Sequence, residues 1–226
     1  QAGTSHFWHH NSDMIAGGNM RIGSTNTHVL AQVGATFSQG GTFTATSGNY
    51  LGYGVRLLGT PVTATAISLA STSGYIQVEP AALTATAGDI NIDAAGRFYQ
   101  RNSDLTASGA ISIIANGYEN DVSWTTANGG DITVASGGSV DITDAYGRNT
   151  RLWATGAIDI ASANSHFVNN GIINGGGNVS IKSRTNLHNE HGALIRSRRG
   201  AVSHRSTHGN NNNRNASDDA SKGATT

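Results

Sequence analysis

No cysteine occurs among the 226 residues, so neither a disulfide framework nor a thiolate metal centre can organise this chain. Proline is almost as scarce, with 2 residues against 30 glycines, which excludes collagen or a proline-rich linker as the source of the glycine content. Charged residues make up only 12% of the chain and the formal net charge is zero. A chain so poor in charge is not a charge-driven disordered segment, and it carries no global field of one sign to recruit a partner. No apolar run approaches the ~20 residues that span a bilayer. The opening Gln1 to His6 has neither the basic start nor the apolar segment of a signal peptide, and a start on Gln without Met is expected of a piece of a longer chain. The hydrophobic fraction, 37%, is low for a compact globule and suits a thin, elongated body with much surface. Absence of cysteine is also compatible with export.

What the sequence does have is self-similarity. The phrase Gly-x-(Ile/Val)-x-(Ile/Val) is read at Gly88-Asp89-Ile90-Asn91-Ile92 and returns at Gly109, Gly130, Gly156 and Gly177, at intervals of 21, 21, 26 and 21 residues. A further copy, Gly138-Ser139-Val140-Asp141-Ile142, sits inside the long interval, which therefore reads as one turn carrying an insertion. Looser copies start at Gly18, Gly41 and Thr65, and a last one at Gly200 holds His204 in its second apolar slot. Repetition at a period of about 20–50 residues is the mark of a solenoid.

Each copy alternates with period two, the strand period, so that Ile90 and Ile92 point one way and Asp89, Asn91 and Asp93 the other. The leading glycine is expected to supply unusual backbone angles at a sharp corner. A second, shorter strand precedes the next glycine, as in Leu83-Thr84-Ala85, Leu105-Thr106-Ala107, Val122 to Thr125 and Arg151 to Ala154. Turn-formers such as Asn116-Gly117 and Tyr146 to Asn149 separate the two strands. The spacing predicts an all-β parallel β-helix, a β-solenoid of about nine coils over residues 18–208. Residues 1–17 read as an irregular lead-in or cap, and residues 209–226, poor in large apolar side chains, as a disordered tail or linker. At ~4.8 Å per coil, nine coils make a rod roughly 40 Å long. Exposed strand edges at its ends predict weak end-to-end self-association.

The phrases Gly129-Gly130-Asp131-Ile132-Thr133-Val134, Val168-Asn169-Asn170-Gly171-Ile172-Ile173 and Leu187-His188-Asn189-Glu190-His191-Gly192-Ala193-Leu194-Ile195 carry a resemblance. Together with Gly177 to Ser183 they resemble the haemagglutinin-type repeats of filamentous-haemagglutinin-like exoproteins, which Gram-negative bacteria export by two-partner secretion. The resemblance covers residues 85–205 well and 18–84 loosely. It implies a right-handed β-helix, a secreted or surface-held adhesin and an outer-membrane secretion partner. The Asn-Pro-Asn motifs of that family's secretion domain are absent, and the chain reads as a piece of the shaft.

Chemistry-bearing residues are few. His188 and His191 flank Glu190, but they stand three apart in an Asn/Gly-rich turn rather than four apart on a helix, so a zinc site is not expected. His6, His9 and His10 read as a surface or capping cluster. Asp89, Asp93, Asp104, Asp131, Asp141, Asp144 and Asp159 read as a solvated outward rank, the competing reading being the acid/base set of a β-helical polysaccharide lyase or hydrolase. Acids converging in a groove beside a basic residue would favour the enzyme. Threonines at 42, 44, 46, 63, 65, 84 and 86 read as β propensity rather than a sustained ice-binding ladder. Between residues 182 and 214 lie Lys182, Arg184, Arg196, Arg198, Arg199, Arg205 and Arg214 against the single acid Glu190. Arg184, Arg196, Arg198, Arg199 and Arg205 are the candidate contacts for an anionic glycan. No aromatic residue interleaves that stretch, which argues against single-stranded nucleic acid. No cofactor is implied. The expectation is a non-enzymatic adhesive segment contacting a receptor or glycan on host or neighbouring cells.

Overall fold

A computed structural model describes residues 6–32, 36–48, 53–143, 150–190, 192–213 and 217–220. Among these residues every regular element is a strand, and the strands form three parallel sheets of nine, ten and ten. The chain winds through one strand of each sheet per coil, giving a β-solenoid with three faces. The first face begins at Met20–Ser24 and ends at Val202–Ser206. Its members are the nine repeat copies counted in the sequence, including the loose copies at Thr42–Ser47 and Ala66–Ser71. The second face runs from Phe7–His10 to Asn211–Asn213, and the third from Asp13–Ala16 to Ser217–Ala220.

Three strands per coil is one more than the sequence suggested. The unexpected strand belongs to the second face, as in Phe98–Arg101, Tyr118–Asp121 and Val140–Thr143. Its alternation is masked because Gln100 and Asn120 occupy inward slots, fully buried. The extra copy at Gly138 is one of these strands, pairing Val140 with Tyr118 and with Phe167. The 26-residue interval is thus one coil, and its extra length lies between Thr143 and Thr150, in residues 144–149 outside the described set.

Both ends extend beyond the repeat. Phe7–His10 and Asp13–Ala16 pair in register with Val29–Gln32 and Thr36–Gln39, so the lead-in is a coil that caps the array. At the other end Leu187 pairs with Asn211 and Leu194 with Ser217. Backbone pairing therefore continues into the segment read as a tail, of which residues 214–216 and 221–226 lie outside the described residues.

Stacking in register makes the core a set of ladders. Ile90, Ile111, Ile132 and Ile158 are consecutive rungs on the first face, all essentially without exposure. Burial of each such side chain contributes ~1.5–3 kcal/mol, so the array is held by repetition rather than by one large core. Where the first face bends into the second, the rung is serine or alanine: Ser71, Ala94, Ala115, Ser136 and Ser162 stack in order. The Ser136 hydroxyl donates to Ser139 O at 3.0 Å and that of Ser162 to Gly138 O at 2.7 Å, so the corner's carbonyls are satisfied from inside.

The glycine corners obey a different rule from the one expected. Positive φ among the described glycines occurs at Gly59, Gly117 and Gly192, not at the leading glycines of the repeat. The slot after the leading glycine alternates, with Asp89 then Ala110 and Asp131 then Ala157. The Asp89 carboxylate accepts the Ala110 N–H at 2.8 Å, and the Asp131 carboxylate the Ala157 N–H at 2.7 Å. Asn19 and Asn178 do the same for Thr42 and Ala201. A Cβ on Gly109 or Gly156 would collide with the Asp89 or Asp131 carboxylate, whereas at Gly88 the nearest atom would be Ala66 Cβ at 3.2 Å. These acids are caps between coils, and their glycines are required by close approach. Gly109→Ala should therefore cost about 1–2 kcal/mol more than Gly88→Ala in urea unfolding, and Asp89→Ala should relieve much of that difference.

Candidate surface site

The third face presents two outward columns. One runs Asp104, Trp124, Arg151, Ile172, Leu194 and the other Thr106, Thr126, Trp153, Asn174, Arg196, each in register from coil to coil. Stacking at the sheet spacing brings residues far apart in sequence into side-chain contact. The Arg151 guanidinium lies 5.0 Å from the Trp124 ring centroid, and that of Arg198 5.8 Å from the Trp153 ring centroid. Trp124 is among the few large apolar side chains exposed to solvent, at 46%. Arg151, Trp153, Ile172, Asn174, Leu194 and Arg198 line a shallow groove of about 320 Å³. Indole faces offer apolar stacking area, and the stacked guanidinium groups offer planar, bidentate donors for carboxylate or sulfate.

The basic residues singled out in the sequence are thereby divided. Arg196 lies in the third-face column and Arg198 and the exposed Arg199 in the turn leaving it. Arg205 stands on the first face above Lys182, beside an open hollow with Ser203 and His204. Arg184 sits at the bend between the first and second faces, and Arg214 lies outside the described residues. No aromatic residue interleaves that stretch in the sequence, but stacking brings one from outside it, because Trp153 lies against Arg198 from two coils earlier. Sequence proximity hid that partner. The coil period alone places Trp153 and Arg196 only to within a residue, because Trp153 stands three residues before Gly156 and Arg196 four before Gly200, so their shared column is read from the stacked strands.

The remaining candidates separate as well. His6 stacks on His28 with centroids 4.0 Å apart, His9 turns its ring to Phe37 at 5.3 Å, and His10 is exposed. Burial, aided by His6 and by the positive charge of Arg56, pushes the His28 imidazole below its usual range. His188 faces Glu190 at 3.3 Å, and His191 lies outside the described residues. Asp89 and Asp131 are the caps described above, and Asp104 accepts the Trp124 N–H at 3.2 Å. Asp93 and Asp159 are exposed on the first face, and Asp144 lies outside the described residues.

Acids do meet a base on the second face. Arg97 approaches Asp141 at 3.3 Å and Glu119 at 3.9 Å, while Arg101 holds Glu119 at 2.6 Å and His166 holds Asp141 at 3.1 Å. Glu119, which sequence reading did not single out, pairs in register with Asp141. The threonine pattern is also longer than it looked, since Thr63, Thr84, Thr106 and Thr126 stack on four consecutive coils of the third face before Trp153 ends the rank.

The fold and this strip define a parallel β-solenoid that displays a tryptophan–arginine ladder on one face. Comparison with protein-family models, with curated proteins and with solved structures finds no match to the chain.

Proposed function

We propose that this chain is a non-enzymatic, adhesive shaft segment of a bacterial exported surface protein, with the third face as its contact surface for an anionic glycan. The single observation that carries this reading is the stacking of Trp124 on Arg151 one coil on and of Trp153 on Arg198 two coils on, beside Arg196 and Arg199. A sugar ring stacks on indole while its carboxylate or sulfate takes a guanidinium fork. Resemblance to filamentous-haemagglutinin-like repeats supports a cell-surface or secreted location in a Gram-negative bacterium and an outer-membrane secretion partner. A host or neighbouring-cell receptor would meet the same face.

One observation favours the alternative, a polysaccharide-acting enzyme: Glu119 and Asp141 converge on Arg97. Each carboxylate is already held by cations, however, so a substrate would have to displace ion pairs from both. Binding to immobilised heparin distinguishes the outcomes. Retention is expected at low salt, falling as salt rises, and lost when Arg196, Arg198 and Arg199 are all replaced by Ala. Trp153→Ala should weaken it about two- to fivefold, the size of an exposed cation–π contact. Salt-insensitive binding, or retention by the triple variant, overturns the reading. Displacement by single-stranded DNA at lower concentration than by free heparin would assign the strip to nucleic acid instead, and depolymerisation of heparin would assign an enzyme.

A further inference from the structure

The second face carries a different kind of surface, running from two to six coils beyond the N-terminal cap. Its outward side chains form one rank of two hydrogen-bonded groups joined by a tyrosine pair. Arg56 Nε donates to Gln77 Oε1 at 3.0 Å, and Gln77 Nε2 donates to Glu79 Oε2 at 2.8 Å. On the next coils Arg101 Nε donates to Glu119 Oε1 at 2.7 Å, and Arg97 reaches Asp141. Arg97 spans two coils because its stem lies across Gly117, where a side chain would meet the Arg97 Cγ at 2.9 Å. Within this rank Tyr75 and Tyr99 meet edge to face, centroids 5.4 Å apart, and the Arg97 and Arg101 guanidinium groups lie 5.5 and 5.0 Å from the Tyr99 centroid. Tyr75, Gln77, Tyr99 and Arg101 line a concavity of about 210 Å³, each half-buried.

We infer that this concavity is a binding subsite for a neutral, hydroxyl-rich ligand, a pyranose unit, separate from the anionic surface of the third face. Three features select that class. The tyrosine rings supply an apolar wall for the C–H face of a sugar ring. The amide, carboxylate and guanidinium groups around them both donate and accept, as vicinal hydroxyls require. The positive charges of Arg97 and Arg101 are matched by Glu119 and Asp141, so no surplus charge draws an anion. Each polar group is also held in place by its neighbour, so little ordering remains to be done on binding.

Saturation-transfer NMR on the full chain with cellobiose and maltose, beside a heparin-derived disaccharide, tests the assignment. At least one neutral disaccharide should receive saturation transfer that salt leaves unchanged. Tyr99→Ala and Gln77→Ala should each weaken its binding about tenfold, Tyr99→Phe should retain it, and Trp153→Ala should leave it untouched. Thermal midpoints of the Gln77→Ala and Tyr99→Phe variants check that the coils remain intact. The assignment is overturned if neither neutral sugar is contacted, if Gln77→Ala in an intact fold binds normally, or if Trp153→Ala abolishes the signal. It stands or falls independently of heparin binding by the third face.

Discussion

Replacing Ile132 with Asp is expected to destabilise the solenoid by about 4 kcal/mol or more, because it puts an unpaired charge into a dry ladder. Ile132 has no exposure and stacks between Ile111 and Ile158, so a carboxylate there has apolar neighbours in both adjoining coils. Damage in one coil removes the support of the next, since each contacts mainly its neighbours. The matched control is Thr133→Asn, on the exposed side of the same strand, expected within about 0.5 kcal/mol of the parent. Asn is chosen over Asp because Thr133 pairs in register with Asp159, and like charges on adjacent strands repel. Equal shifts in the urea midpoint for both variants would refute the inward and outward assignment.

The second large effect concerns polar rather than apolar burial. Gln100 is fully buried and acts as the hub of a network inside the solenoid. Its Oε1 accepts from the Tyr118 and Thr125 hydroxyls, both at 2.9 Å. Its Nε2 donates to Ser103 O and Trp124 O, both at 3.0 Å, while Asn120 Nδ2 donates to Tyr118 Oη at 3.0 Å. Phe98 stacks beneath Tyr118 with rings 5° from parallel, and burial pushes the Tyr118 phenol well above its ordinary range. The network ties the second face to the third at one height of the rod. Gln100→Leu keeps the volume but strips two hydroxyls of their acceptor and two carbonyls of a donor, a cost of about 4 kcal/mol. In a Tyr118→Phe, Thr125→Val background the same change should cost at least ~1 kcal/mol less. Strict additivity of the urea-unfolding energies would mean that the groups do not act together.

Much of this architecture was legible in the chain because a solenoid writes its period into the sequence. Ile90, Ile92 and their counterparts announce the first face directly. The second face was hidden by Gln100 and Asn120, polar residues at buried positions whose partners lie in other coils. The acids at Asp89 and Asp131 were visible, but their role depends on which N–H of the following coil they reach, and composition does not reveal that. Likewise Arg196, Arg198 and Arg199 were legible as a basic run, while Trp153 joins Arg198 only through stacking. Local pattern gives the strands, and register between coils gives the surface.

That register is open to one direct measurement. Since the chain contains no cysteine, a pair introduced by Thr133→Cys and Asp159→Cys reports on a single contact. These positions are 26 residues apart and adjacent in register across the coil that also sets Arg151 against Trp124. Mild oxidation should close a 133–159 disulfide rapidly, since in-register neighbours at ~4.8 Å fall within disulfide reach. A Thr133→Cys, Ser180→Cys pair, two coils apart, should stay reduced. Rapid closure of 133–180 with none at 133–159 would contradict the stacking on which both proposed surfaces rest.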